Sequence, residues 1–296
     1  MEKLQEGEII PLTDNYMFIQ TFYHHGEMEW IERFISDYLD LPYDRVHNHL
    51  TKLSRDAESD KRITADMQLD LVLDLDGEKI NIELNNTNYQ GLRKRNLAYV
   101  ELLGGHQYKK EKGKSSKDIY KNIKGTLQIN LNGFGNTERL INRYRLISEE
   151  TKDIFSENLR IDNVDMSKIN VKYKCVGKVE EKIYLWCKLI NTNSIYIFKE
   201  ICAKLLPEEE AERMVKVVDY ISKDERILLG DEEDQVENIR AAKIGQAFED
   251  GKEEGVEQNK KESAIEFHKN GASDELITKS LHITQEQLDE YLNEER

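Results

Sequence analysis

The chain has 296 residues, 38% hydrophobic and 34% charged, with a formal net charge of −15. That length holds one large domain or two modest ones, and no apolar run reaches the roughly 20 residues of a membrane span. Three scattered cysteines, Cys175, Cys187 and Cys202, offer neither a disulfide framework nor a zinc spacing, so a reducing cytoplasm and no secretory leader are expected.

Net acidity alone argues against a nucleic-acid partner, but the charge is unevenly spread. Residues 1–85 carry 8 basic and 19 acidic side chains, whereas residues 86–147 carry 13 and 4. Residues 148–206 are near balance, and residues 207–296 return to 12 basic against 26 acidic. The basic stretch, with Arg93, Lys94, Arg95 and then Lys109 through Lys124, suits a phosphate backbone. The run KKEKGKSSKD at 109–118 suits a solvated loop equally well.

Taken in order, residues 1–10 read as a lead, and Thr13 or Asp14 as the cap of a first helix bearing Tyr16, Phe18, Ile19, Phe22 and Tyr23. Asp14 is expected to cap, with a place facing an acidic cluster as its alternative. After Gly26 a second helix spans about 27–38, with Trp30, Ile31, Phe34, Ile35 and Tyr38 as its apolar stripe. Residues 40–62 read as a loop leading to a strand at Ile63.

The stretch LDLVLDLDGEKINIELN, Leu69 to Asn85, reads as a hairpin turning at Asp76-Gly77. Alternation puts Leu69, Leu71, Leu73 and Leu75 on one face and Asp70, Val72 and Asp74 on the other. On the second strand Ile80 and Ile82 oppose Asn81, Glu83 and Asn85. Asp70 and Glu83 can then lie side by side, with Asn85 next to them. Paired carboxylates repel unless a cation lies between them, and hard oxygen ligands suit Mg²⁺ or Mn²⁺. A half-solvated hairpin with acids on its wet face fits the same pattern, and Asp66, of the same parity as Asp70, competes for the metal role.

A helix is expected over about 89–103, ended by Gly104-Gly105, and then a strand at Thr126–Asn132 with Gln128 and Asn130 on one face. Leu140–Ile147 reads as a polar, basic stretch and 159–171 as a further strand. Three helices follow, at about 179–190, 195–206 and 208–221, the third started by Pro207. Residues 232–266 read as a long acidic helical arm, and Ala272–Leu292 as a helix-turn-helix-like pair in which Thr284 caps the second helix. The order of elements implies an α/β fold, a mixed central sheet flanked by helices. The expected division is 1–175, a helical subdomain at 176–230, and the arm with its terminal pair at 231–296.

Several stretches together resemble the PD-(D/E)XK nuclease superfamily, and within it the bacterial recombination-promoting nuclease and PD-(D/E)XK nuclease family transposase group. They are PLTDNYMF, the hairpin LDLVLDLDGEKINIELN, YQGLRKRNLAYVELL, TLQINLNGF and the terminal ITQEQLDEYL. The resemblance implies a restriction-endonuclease-like core and a Mg²⁺- or Mn²⁺-dependent endodeoxyribonuclease. Asp70 and Glu83 would hold the ion with the Leu84 carbonyl, Asn85 would orient the water, and Arg93, Lys94 and Arg95 would contact DNA phosphates. Asp14, Asp66 and Gln128 are secondary candidates. Asn85 stands where the superfamily has Lys and this group often has Gln, so a degenerate nuclease fold that binds DNA or protein is the alternative. A role in recombination, mobile elements or phage defence, a homodimer through the arm and a regulatory protein partner complete the expectations.

Overall fold

A computed structural model of the chain describes residues 4–24, 28–53, 69–107, 117, 121–135, 137–170, 173–223 and 260–293. The chain divides into two compact units, Met1–Asp231 and Glu232–Arg296. The first is an α/β unit built on one six-stranded sheet. Its strands are β1 (Leu50–Lys52), β2 (Leu71–Leu75), β3 (Glu78–Asn85), β4 (Thr126–Asn132), β5 (Ile141–Ile147) and β6 (Ile154–Asp165), in spatial order β1-β2-β3-β4-β6-β5. β3, β4 and β6 run parallel, while β1, β2 and β5 pair antiparallel. The sheet is therefore mixed, with its parallel strands in the middle and helices packed against it.

The β2–β3 hairpin forms for the reason its sequence suggests. Asp76 (φ 53°) and Gly77 (φ 88°) both take positive φ, the requirement of a tight turn matched to strand twist. Asp74 Oδ1 accepts from the Gly77 N–H at 2.8 Å and fixes the turn from the side. β2 starts at Leu71, two residues later than the alternation implies. Asp70 sits on a bend, so Leu69 leaves the face of Leu71, Leu73 and Leu75 and packs with Val72, Tyr99 and Leu103.

One face of the sheet is the main core. Ile80, Ile82 and Leu84 of β3, Leu127, Ile129 and Leu131 of β4, and Val164 of β6 are all buried there. They pack with α1 (Asn15–Ile19), α2 (Met28–Leu39) and the helices α5 (Lys178–Asn191), α6 (Ile195–Leu205) and α7 (Glu208–Lys223). α2 delivers Trp30, Ile31, Phe34, Ile35 and Tyr38 from its apolar stripe, each buried. Burying a side chain of this size stabilises by about 1.5–3 kcal/mol. The helices of 178–223 share this single hydrophobic cluster with the sheet. α4 (Leu92–His106) lies between β3 and β4 in sequence and packs on the strands β3, β4 and β6.

Four elements differ from the sequence expectation. The segment 40–52 is not a loop: it holds α3 (Tyr43–His47) and the edge strand β1. Ile141–Ile147 is a strand whose polar, basic character reflects its place at the sheet edge, where half its residues face water. β6 begins at Ile154 and ends at Asp165, where a 3₁₀ turn follows. Gly104-Gly105 falls inside α4, which continues to His106. The strand expected at Ile63, residue Asp66, most of the 109–118 loop and the arm over 232–259 lie outside the described residues.

In the second unit, a helical stretch at 260–269 and the helices α8 (Asp274–Leu281) and α9 (Gln285–Asn293) enclose Ala264, Ile277, Ile283, Leu288 and Tyr291. Ser273 caps α8, accepting from the Leu276 N–H at 3.4 Å. Thr284 and Gln287 form a reciprocal capping box at α9: Gln287 N–H donates to Thr284 Oγ1 at 3.2 Å, and Thr284 N–H to Gln287 Oε1 at 2.9 Å.

Candidate active site

The opposite face of the same three strands is polar. Because side chains alternate along a strand, Asn81, Glu83 and Asn85 of β3 share this face. So do Gln128, Asn130 and Asn132 of β4 and Asn163 and Asp165 of β6. Register sets them in rows: Asn81 beside Gln128, Glu83 beside Asn130 and Asn163, Asn85 beside Asn132 and Asp165. Asn81, Glu83, Gln128 and Asn130 are essentially without solvent contact. Burying amides unpaired costs about 1–3 kcal/mol each, and here they bond to one another. Asn81 Nδ2 donates to Gln128 Oε1 (3.3 Å), Gln128 Nε2 to Asn130 Oδ1 (2.9 Å), Asn130 Nδ2 to Asn163 Oδ1 (2.8 Å) and Asn85 Nδ2 to Asn132 Oδ1 (3.0 Å).

Asp70 and Glu83 meet at one end of this ladder. The Asp70 N–H donates to Glu83 Oε1 at 3.2 Å, and Asp70 Oδ2 accepts from the Leu84 N–H at 2.8 Å. The N–H and C=O of one strand residue leave the chain on the same side, so the Leu84 carbonyl faces the Asp70 edge as well. Glu83 Oε1 also accepts from Asn81 Nδ2 at 3.0 Å, and Glu83 Oε2 from Arg95 Nη2 at 3.1 Å. The same Arg95 nitrogen donates to Asn85 Oδ1 at 3.2 Å. Burial, and then the adjacent Asp70 charge, push the Glu83 carboxyl up to about 8, against the opposing pull of Arg95 and Asn81. The guanidinium of Arg95 lies 5.3 Å from the Tyr99 ring centroid, and burial raises the Tyr99 phenol to about 12, so it keeps its proton at neutral pH.

The structure thus brings Asp70, Glu83, Leu84 and Asn85 together, with Gln128 linked to Glu83 through Asn81. Arg95 joins them as well, whereas Arg93 and Lys94 point outward from the first turn of α4 as exposed residues. Asp14 is the N-cap of α1, accepting from the Met17 N–H at 3.0 Å, as its capping reading requires. Asp66 lies outside the described residues. Asn163 and Asp165 escaped the sequence reading. Their only signal is the parity of β6, which becomes informative once β6 is known to lie beside β4.

A family model matches residues 11–240. The chain belongs to the PD-(D/E)XK nuclease family transposases. No curated protein and no solved structure gives a significant match. Membership makes this PD-(D/E)XK nuclease family transposase a nuclease-type protein, with DNA as the substrate its family implies. No helix among the described residues is long and apolar enough to cross a membrane. PD-(D/E)XK nucleases usually use divalent metals. Among the described residues no group of three or more His, Cys, Asp and Glu side chains is placed to hold a metal ion, so an ion here would rest on two carboxylates and a backbone carbonyl. That donor set still fits: it is all oxygen, and the Asp70 charge lies close enough to oppose ionisation of Glu83.

Proposed function

We propose that the protein is a metal-dependent DNA endonuclease in which Asp70, Glu83 and the Leu84 carbonyl hold Mg²⁺ or Mn²⁺. The observation carrying this reading is the Asp70–Glu83 contact at the end of β3, where Asp70 bonds the backbone of the residue after Glu83. When bound, the ion would polarise the scissile phosphate and lower the pKa of an attacking water. The chain's own residues hold the carboxylates in place. Asn81 and the Asp70 N–H fix one oxygen of Glu83, and the buried amides behind Asn81 keep it from turning. Asn85 spends one Nδ2 proton on Asn132 and its Oδ1 on Arg95, leaving the second Nδ2 proton to orient a water. Arg93 and Lys94, exposed at the start of α4, contact DNA phosphates and position the duplex without reading sequence.

The experiment is cleavage of supercoiled plasmid with Mg²⁺ or Mn²⁺ by the purified protein and by Asp70→Ala. Cleavage by the wild type and its loss in the variant are expected. Equal cleavage by both overturns the assignment. The neutral Asn85 favours one rival, a catalytically silent fold that binds DNA or protein. Calorimetry that detects no divalent-ion binding selects that rival. In the nuclease reading the setting is the cytoplasm, and a homodimer or a regulatory partner assembled on residues 232–296 links the activity to recombination, mobile elements or phage defence.

A further inference from the structure

We infer that Arg95 is a catalytic residue: its guanidinium supplies, from helix α4, the positive charge that position 85 lacks, and it binds the scissile phosphate beside Glu83 and Asn85. This deepens the nuclease reading and rests on it. A lysine on β3 two residues past Glu83 would place an ammonium next to the carboxylate pair. Asn85 brings an amide there and no charge. The structure puts a charge in that place by another route. Arg95 Nη2 stands 3.1 Å from Glu83 Oε2 and 3.2 Å from Asn85 Oδ1, touching both the acid and the amide.

Four further observations separate Arg95 from its neighbours in the basic run. Arg93 and Lys94 are exposed on the helix surface, while Arg95 turns inward to the carboxylate. Its side chain is 37% exposed beside a Glu83 side chain at 1%, so Arg95 runs between the buried acid and the solvent side, from which a phosphate would arrive. Both of its bonds use Nη2. Its Nε is buried and has no hydrogen-bond partner among the described residues, so the planar fork holds donors unspent on the protein. Tyr99 stacks against it from the next turn and keeps the fork aimed at β3.

In hydrolysis a water oxygen forms the new bond to phosphorus, an ester P–O bond breaks, and negative charge grows on the phosphoryl oxygens and the departing oxygen. Solvent takes the proton lost by the water, and solvent protonates the departing oxygen. Arg95 stays protonated throughout and donates hydrogen bonds to the phosphoryl oxygens as their charge grows. Fixed donors of this kind act in the transition state more than in binding.

The test compares wild type, Arg95→Met, Asn85→Lys/Arg95→Met and Arg95→Lys. It uses plasmid cleavage in Mn²⁺, anisotropy of a fluorescein-labelled duplex in Ca²⁺, and thermal melting. Arg95→Met should cut about 10²–10³-fold more slowly while binding the duplex within about threefold of wild type. Returning a charge through Asn85→Lys/Arg95→Met should recover at least about tenfold of that loss, which a purely structural arginine would not allow. Undiminished cutting by Arg95→Met overturns the inference and leaves the nuclease reading intact. A loss matched by weaker duplex binding, with a salt slope lower by about 1, makes Arg95 a groove contact and also overturns it. A folded double variant without recovery does the same. If the double variant does not fold, Arg95→Lys decides: cutting faster than Arg95→Met supports the inference, and equal or slower cutting overturns it. A wild type that cuts no DNA removes the nuclease reading and this inference together.

Discussion

The two faces of the central sheet are made from the same strands and differ by one residue of phase. Ile80, Ile82, Leu84, Leu127, Ile129 and Leu131 face the main core, while Asn81, Glu83, Asn85, Gln128, Asn130 and Asn132 lie on the side where α4 packs. Both faces are buried, so burial alone does not separate structure from chemistry. The first face is held by apolar area, which tolerates small adjustments of contact. The second is held by hydrogen bonds that must each find a partner, and it aims a carboxylate that costs free energy to ionise. The apolar core and the proposed site are thus set back to back across one layer of backbone.

Variants can break that comparison. The largest effect is expected from Asp70→Asn, which should lower plasmid cleavage on the order of 10³-fold with little change in melting temperature. Comparable cleavage would show that the polar face is not the reactive one. Ile82→Ala, one residue from Glu83 but on the other face, should lose about 2–5 kcal/mol in urea unfolding, while the folded fraction keeps its cleavage rate. Asn130→Leu should cost about 1–3 kcal/mol by leaving Gln128 and Asn163 short of partners.

Glu83→Gln sharpens the contrast. With its folded pKa raised from the ordinary 4.5 to about 8, Glu83 keeps its proton in the folded state through a range where the unfolded chain has released it. Its contribution to stability is complete below pH about 4.5 and is lost as pH rises to about 8. In metal-free buffer Glu83→Gln should therefore gain stability over wild type steadily across that window, while cutting no DNA. A flat difference would mean that Glu83 is ionised throughout. The smallest effect is reserved for Thr284→Ala, which should cost about 1 kcal/mol in the second unit alone and leave cleavage by the first unchanged.

Sequence revealed the hairpin because Asp76-Gly77 and strict alternation are local signals. The pairing of Asp70 with Glu83 followed from parity, and the structure brings those two together. Other features depend on partners distant in the chain. β5 carries Arg143 and Arg145 because it is an edge strand, which no local window reveals. Arg95 looks like its neighbours in a basic run until the rotational phase of α4 over β3 is known. Asn163 and Asp165 acquire meaning only from β6 lying next to β4. The bend at Asp70 also ended the alternation early and sent Leu69 to the α4 side, which the repeating leucines concealed.

The turn at Asp76-Gly77 has a reach beyond its own two residues. Strand periodicity is two, so sliding β3 past β2 by a single position would present Leu84 where Glu83 belongs and turn Glu83 away from Asp70 into the hydrocarbon core. With Asp74 clasping Gly77 and both turn residues in left-handed geometry, the far tip of the hairpin acts as a vernier for the register that sets Glu83 beside Asp70 at its base. Any change that adds or removes a residue in that tip would set Asn81, Glu83 and Asn85 against the apolar core, at a cost in stability, and would part Glu83 from Asp70.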